Sequence, residues 1–226
     1  MPLIYSVNLG IFDRLKNELS LQTRRVIFEI FMRECAPTPN SRVADFGVSG
    51  HRSHPVHYFF EQMFPHRSNL TAIARASEGA GWLRDQFPGL TFLEADLREI
   101  PLPNQYFDCG LCNAVVEHAG PREQQVALVR EVCRVSRCVM FTTPNKRFPI
   151  ELHTLLPLLH WLPDRTYRRI LRRIGLDHFA ELENLYLLDI KDFRSLFPSS
   201  RRNQMTSVGL PFLSTNLICI SREVGN

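Results

Sequence analysis

The run Arg42-Val43-Ala44-Asp45-Phe46-Gly47-Val48-Ser49-Gly50 decides how the other residues are read. An apolar stretch of strand-forming residues ends in an acid and then in a turn with two glycines. Glycine at a strand end lets the backbone bend sharply and lets a ligand come close to the main chain. An acid followed by glycine at the first strand of an α/β domain is a place where nucleosides and nucleoside-like cofactors bind. The competing explanation is an ordinary strand-to-helix turn, so the flanking sequence has to decide.

Downstream, the pattern repeats. Val56 to Phe64 predicts a helix, with Ser53 or His54 as its cap and Pro55 in its first turn. Leu70 to Ala74 reads as a second strand, Gly79 to Phe87 as a helix and Leu90 to Ala95 as a third strand. Phe107 to Val116 is a fourth strand, Pro121 opens a helix to about Val135, and Cys138 to Thr143 is a fifth strand. Strands alternating with helices at this pace mean parallel βαβ units in a doubly wound, Rossmann-like α/β sheet. Residues 144–188 break the rhythm, a short helix follows over Asp189 to Phe197, and Gln204 to Leu210 and Asn216 to Ser221 read as closing strands. Upstream, Phe12, Leu15, Leu19, Val26, Ile27, Ile30 and Phe31 recur at helical spacing, predicting one or two amphipathic N-terminal helices. The whole reads as one domain: N-terminal helices over 1–40, a core over 41–147, an insertion over 148–188 and closing elements over 189–226.

Composition sets the outer limits. The 226 residues carry a net charge of +4, 44% hydrophobic and 22% charged residues, as an ordinary globular domain does. That charge permits an anionic partner without calling for nucleic acid. The N-terminus has no basic segment followed by an apolar one, and no apolar run reaches membrane-spanning length. The six cysteines are scattered, as in a reducing compartment, so a cytoplasmic protein is expected.

Five segments in register carry a family resemblance: Val43-Ala44-Asp45-Phe46-Gly47; Glu94-Ala95-Asp96-Leu97 with Ile100-Pro101-Leu102-Pro103; Phe107-Asp108; Val116-Glu117-His118; and Glu131-Val132-Cys133-Arg134-Val135 with Thr143-Pro144-Asn145. Over residues 40–145 the chain resembles the class I S-adenosylmethionine-dependent methyltransferases, in particular their small-molecule branch. The resemblance implies a seven-stranded, mostly parallel sheet with a terminal antiparallel strand. It implies S-adenosylmethionine as cofactor, held by Asp45, Gly47, Val48, Ser49, Gly50, Asp96, Leu97 and Asn113. Asp96 would take the amino edge of adenine and Leu97 its face. The family's acid after strand two, which holds the ribose, is replaced here by Ala74-Arg75, leaving Glu78 as the nearest carboxylate. The glycine loop also departs, with Ser49 and His51 at two expected glycines. A nicotinamide-binding domain would need a Gly-x-Gly-x-x-Gly turn and an acid after strand two, and this chain has neither.

Glu117 and His118 leave the sheet at the edge where ligands bind. His118 is a general-base candidate because an imidazole titrates near neutrality; the alternative is that the pair only shapes the pocket. The apolar, proline-broken stretch from Phe148 to Pro163 stands where a substrate-covering lid belongs, which makes Glu151 and His153 acceptor-site candidates. Arg165, Arg168, Arg169, Arg172 and Arg173 fall near one helical face, with Tyr167, Ile170, Leu171 and Ile174 opposite. Such a helix suits an anionic or lipid-linked acceptor, or peripheral docking on a membrane; a solvated arginine face is the alternative. No metal site is expected. His51, His54 and His57 are interrupted by Pro55, and Cys109 and Cys112 sit three apart in a strand, pointing to opposite faces. Two functions follow: methyl transfer to oxygen of a small-molecule or lipid- or glycan-linked acceptor, or a degenerate member of the fold acting as a non-catalytic binding or partner protein.

Overall fold

The computed structural model describes residues 3–48, 55–75, 80–210 and 213–224. The first element is a single helix, α1 (Leu3–Cys35), where the sequence left open one or two. Its inner face carries Ile27, Ile30, Phe31 and Cys35, at helical spacing and buried, while Leu19 and Val26 remain exposed. The helix stops at Ala36, whose φ of 45° is left-handed, and the Pro37-Thr38-Pro39 segment prevents its resumption.

The sheet begins with β1 (Val43–Phe46). A 3-10 turn at Pro55–His57 and a short helix, α2 (Phe59–Met63), stand where one longer helix was expected; Ser53 and His54 lie outside the described residues. Then come β2 (Leu70–Ala74), α3 (Ala80–Gln86), β3 (Thr91–Glu94) and β4 (Phe107–Asn113). Helix α4 (Arg122–Val135) leads to β5 (Ser136–Pro144). The insertion holds α5 (Asp164–Arg173) and α6 (Asp177–Ala180), so much of it is irregular rather than helical. Helix α7 (Ile190–Arg194), β6 (Arg201–Leu210) and β7 (Leu213–Glu223) close the chain. Asp189 caps α7, its side chain accepting from the amides of Lys191 and Asp192.

The strands form one seven-stranded sheet in the order β3-β2-β1-β4-β5-β7-β6. Strands β1 to β5 are parallel, and β7 runs antiparallel to both β5 and β6. Apolar residues cover both faces because helices cover both, as a parallel sheet requires. Ala44, Phe46, Phe107, Cys112 and Phe141 pack with α4 and α7; Val43, Cys109, Leu111 and Met140 pack with α1, α2 and α3. Cys109 and Cys112 thus serve opposite cores, and all six cysteines are free thiols. Gly110 is required inside β4, since a Cβ there would lie 2.5 Å from the Phe46 ring. Strand order reverses between β1 and β4, and in open α/β sheets the crevice at the carboxyl ends of such a pair is where ligands bind.

Candidate active site

That crevice is flanked by the residues after β1 and after β4. Gly47 turns the chain out of β1 with a φ of 88°, its amide donating to the Ile73 carbonyl at 2.7 Å. A Cβ at Gly47 would sit 2.4 Å from Cγ2 of Val115, so the two strand exits are fitted to each other through a missing side chain. Val48 is buried with the α1 and α2 side chains. Ser49, Gly50 and Glu78 lie outside the described residues. Asp45 is buried in β1, and Glu61 of α2 is buried beside it, the two carboxyls hydrogen-bonding each other. Burial, and then the charge of Glu61, push the Asp45 carboxyl well above its usual range, and burial pushes Glu61 up. Two carboxylates in so dry a place cannot both ionise, so the pair keeps a proton.

The strand ends beside β1 carry a different charge pattern. After β2, the exposed Arg75 donates from Nη2 to Asp96 Oδ2 at 2.7 Å. Arg98 donates to the same carboxylate from its amide, Nε and Nη2 at 2.9, 3.0 and 2.6 Å. Hydrogen bonds from Arg98 first, then Arg75, hold Asp96 far below the usual carboxylate range. Leu97 beside it is buried. The acid expected to meet adenine therefore has its acceptor positions filled by two guanidinium groups, of which Arg75 is the more exposed.

At the end of β4, Asn113 Oδ1 accepts from Thr142 Oγ1 at 2.8 Å. The strand ends there, earlier than the sequence predicts, because Ala114 adopts a φ of 55°. Val116–His118 form a 3-10 turn that points Glu117 inward and His118 outward. Glu117 is fully buried; its Oε2 accepts from Thr143 Oγ1 at 2.9 Å and its Oε1 has no partner. Burial lowers the Arg24 guanidinium to about 10, against the opposing pull of the Glu117 charge. His118 Nδ1 is 2.6 Å from the Asn184 carbonyl. A carbonyl can only accept, so Nδ1 carries the proton and Nε2 the lone pair.

The insertion completes the site. The Glu151 carboxylate, 3% exposed, accepts from the amides of His153 and Thr154 at 2.9 and 2.6 Å and sits 2.7 Å from His153 Nδ1. Burial pushes Glu151 up, but the His153 ring and the turn amides outweigh it and bring its pKa to about 2. The ring of His153 meets that of His118 edge-on, centroids 4.9 Å apart. Glu117, His118 and His153 each place one ligand atom within 4.8 Å of the others. The three residues named from sequence as catalytic candidates, 36 positions apart at the extremes (153 − 117), thus converge. Sequence reading missed Thr143 and Asn184, which hold Glu117 and His118 from distant segments, and Glu61, a buried carboxyl on α2.

One expectation is corrected in α5. Arg168 does not belong to an exposed basic face: it is buried, donating to the carbonyls of Ala180 and Leu185 at 3.0 and 3.1 Å and to Asp164 at 2.8 Å. Tyr167 and Leu171 are buried as expected, but Ile174 is half exposed. Arg165, Arg169, Arg172 and Arg173 are exposed, and beside them Leu155, Leu158, Trp161 and Leu162 project from the turns before α5. Among the described residues no helix is long and apolar enough to cross a membrane.

Comparison with known proteins agrees with this architecture. Residues 56–138 match the sequence family described as a methyltransferase domain. No curated protein sequence gives a significant match. Among solved structures, the chain is similar to magnesium protoporphyrin IX methyltransferase from Synechocystis PCC 6803 with bound S-adenosylhomocysteine: 14% identity, 94% of this chain and 88% of that one, TM-score 0.58. It is similar to the N-methyltransferase NodS from Bradyrhizobium japonicum WM9, in complex with S-adenosylhomocysteine: 12% identity, 88% of this chain and 86% of that one, TM-score 0.57. A SAM-dependent methyltransferase from Methanosarcina mazei matches at 12% identity, 88% of this chain and 98% of that one, TM-score 0.54. At these identities the structural likeness is one of fold. Residues 56–138 thus match a methyltransferase-domain family, and the sheet order is that of the class I S-adenosylmethionine-dependent methyltransferase fold.

Proposed function

We propose that this methyltransferase-domain protein transfers a methyl group from S-adenosylmethionine to an oxygen of a small or lipid-linked, anionic acceptor. The cofactor lies over the carboxyl ends of β1 and β4, with its methionine end against Gly47 and Val48 and near Asn113. Its adenine lies beside Leu97, with the amino edge on Asp96 once Arg75 swings away. Ser49, Gly50 and Glu78 belong to the same proposed contact set. Arg75 stands where a ribose acid is usual and occupies one side of Asp96 until the cofactor displaces it.

The observation that carries the acceptor half of this reading is the convergence of Glu117, His118 and His153 under the insertion. Methyl transfer from a sulfonium is an in-line displacement, so the enzyme's main tasks are to hold the acceptor close and take its proton. The acceptor oxygen attacks the methyl carbon, and the carbon–sulfur bond breaks with its electrons left on sulfur. The hydroxyl proton passes to Nε2 of His118, whose Nδ1–H is held by Asn184. The resulting imidazolium is stabilised by the buried Glu117 next to it in sequence. Leu158, Trp161 and Leu162 beside the exposed arginines of α5 form an apolar and cationic surface that suits an acceptor presented at an anionic membrane.

Incubation with methyl-labelled S-adenosylmethionine and panels of hydroxyl-bearing acceptors, free and lipid-linked, tests this directly. Label should appear in an oxygen-methylated product and be strongly reduced in His118→Asn. A second reading, a non-catalytic binding protein on the same fold, is favoured by one observation: two arginines occupy Asp96. Methylated product from any acceptor eliminates it.

A further inference from the structure

We infer that Glu117, His118 and His153 form a binding site for one divalent transition-metal ion, with positions left over for an oxygen ligand. The three side chains reach the site from two separate parts of the fold, yet one ligand atom from each lies within 4.8 Å of the others. Glu117 is fully buried, and its Oε1 lacks any hydrogen-bond partner. A buried carboxylate oxygen without a donor is costly, and a cation is one of the few things that satisfies it.

The surroundings of the two histidines have the form of outer-shell support. A metal-binding imidazole generally hands its other ring N–H to a carbonyl or carboxylate, which fixes the tautomer and the ring plane. His118 Nδ1 is held by the Asn184 carbonyl at 2.6 Å, and His153 Nδ1 by the buried Glu151 carboxylate at 2.7 Å. With Nδ1 donating to the Asn184 carbonyl, the lone pair of the neutral His118 ring is on Nε2. Glu117 Oε2 is likewise fixed by Thr143 Oγ1. The nearly perpendicular rings, at 87°, bring edges rather than faces together.

The donor set selects the class of ion. Two imidazoles and one carboxylate suit zinc, iron, cobalt, nickel or manganese, whereas magnesium and calcium prefer all-oxygen sites. Three protein ligands leave at least one position open, the arrangement of catalytic rather than structural metal sites. Ligand atoms about 2.0–2.2 Å from one ion stand about 3–3.5 Å apart, so from separations within 4.8 Å the group contracts by at most about 1–2 Å on binding. Glu117 and His118 sit on the sheet edge and His153 on the insertion, so that contraction draws the insertion onto the strand ends.

Ion binding stands on these side chains alone; its use in methyl transfer rests on the function proposed above. There the ion takes over from His118, since one lone pair cannot hold both metal and proton. The ion binds the acceptor hydroxyl oxygen and lowers its pKa, the proton leaves to solvent, and the oxygen then attacks the methyl carbon.

The test uses untagged full-length protein, stripped with a chelator and titrated with Co2+ without cofactor or acceptor, followed by visible absorption and calorimetry. One equivalent should give ligand-field bands, displaced stoichiometrically by Zn2+. His118→Asn and His153→Asn should each weaken binding more than 10-fold, and Glu151→Gln by about 10-fold. Circular dichroism in chelator checks that each variant is folded, and His118 is exposed enough for its replacement to spare the core. Absence of a stoichiometric site, or affinity unchanged in both histidine variants, overturns the inference. Because no methyl donor is present, failure here leaves the methyltransferase reading standing, and loss of cofactor binding leaves the metal site standing.

Discussion

Replacing Gly47 by alanine puts a methyl group into space that Val115 already fills. The new Cβ would stand 2.4 Å from Val115 Cγ2 and 2.8 Å from Cγ1, and Gly47 has a φ of 88° that an L side chain rarely adopts. The left-handed backbone costs about 1–2 kcal/mol and the overpacking about 1–3 kcal/mol. Val115 cannot easily yield, because it follows Ala114, whose φ of 55° is itself constrained. A total near 3 kcal/mol corresponds to about 6–12 °C in melting temperature for a chain of this size. Trimming the neighbour separates the two contributions. In Gly47→Ala with Val115→Ala the overpacking disappears and the backbone cost remains, giving a favourable coupling of about 1–3 kcal/mol. Urea unfolding of the wild type, both single variants and the double variant measures it. S-adenosylhomocysteine affinity, weakened in Gly47→Ala, should recover in part in the double variant. Strictly additive stabilities would refute the argument, because the contact would then not be the reason for the glycine.

Four further outcomes are expected. Arg75→Ala should tighten S-adenosylhomocysteine binding, measured by calorimetry, because it frees one side of Asp96; weaker binding would make Arg75 a cofactor contact instead. Arg168→Met should cost about 2–4 kcal/mol in denaturant unfolding by stripping two buried carbonyls and Asp164 of their donor, whereas Arg169→Ala should be nearly neutral. The raised pKa values of Asp45 and Glu61 mean that the folded chain holds a proton the unfolded chain releases. Stability should therefore fall as pH rises from the ordinary carboxyl range, near 4, towards the raised values, and level off above them. Glu61→Gln should flatten that slope in thermal melts across pH, and an unchanged slope would exclude the pair as its source. Charge reversal at Arg169, Arg172 and Arg173 should release the protein from anionic liposomes in sedimentation, with equal pelleting as the contrary result.

The sheet was legible in the sequence because its strands are short apolar runs bounded by turn residues. Val43 to Phe46 and Leu70 to Ala74 could hardly be anything else, and Pro121 marks the start of α4 to within a residue. What could not be read depends on pairs distant in sequence or on backbone angles. The early end of β4 follows from the left-handed Ala114, and alanine carries no signal of that choice. Arg168 looks like its neighbouring arginines until α6 and the Leu185 carbonyl close around it. Asp96 reads as an adenine acid from its strand end; Arg98 is near it in sequence, but Arg75 reaches it only once β2 and β3 are paired.

The candidate site was half legible. Glu117 and His118 stand out as a polar pair at a strand exit, and His153 as a polar residue in an apolar lid. Their mutual approach, and the anchoring of their rings by Asn184 and Glu151, is tertiary information. A linear reading weighs only local groupings for a metal, here His51, His54 and His57 and the pair Cys109 and Cys112. The convergent group is assembled from β4 and the insertion.

The most direct test of the account is a calorimetric titration of the untagged protein with S-adenosylhomocysteine. One site per chain is expected, with a dissociation constant between about 1 μM and 1 mM, as for ordinary enzyme ligands, and weaker binding in Gly47→Ala. An absence of binding heat at several temperatures across that concentration range would contradict it.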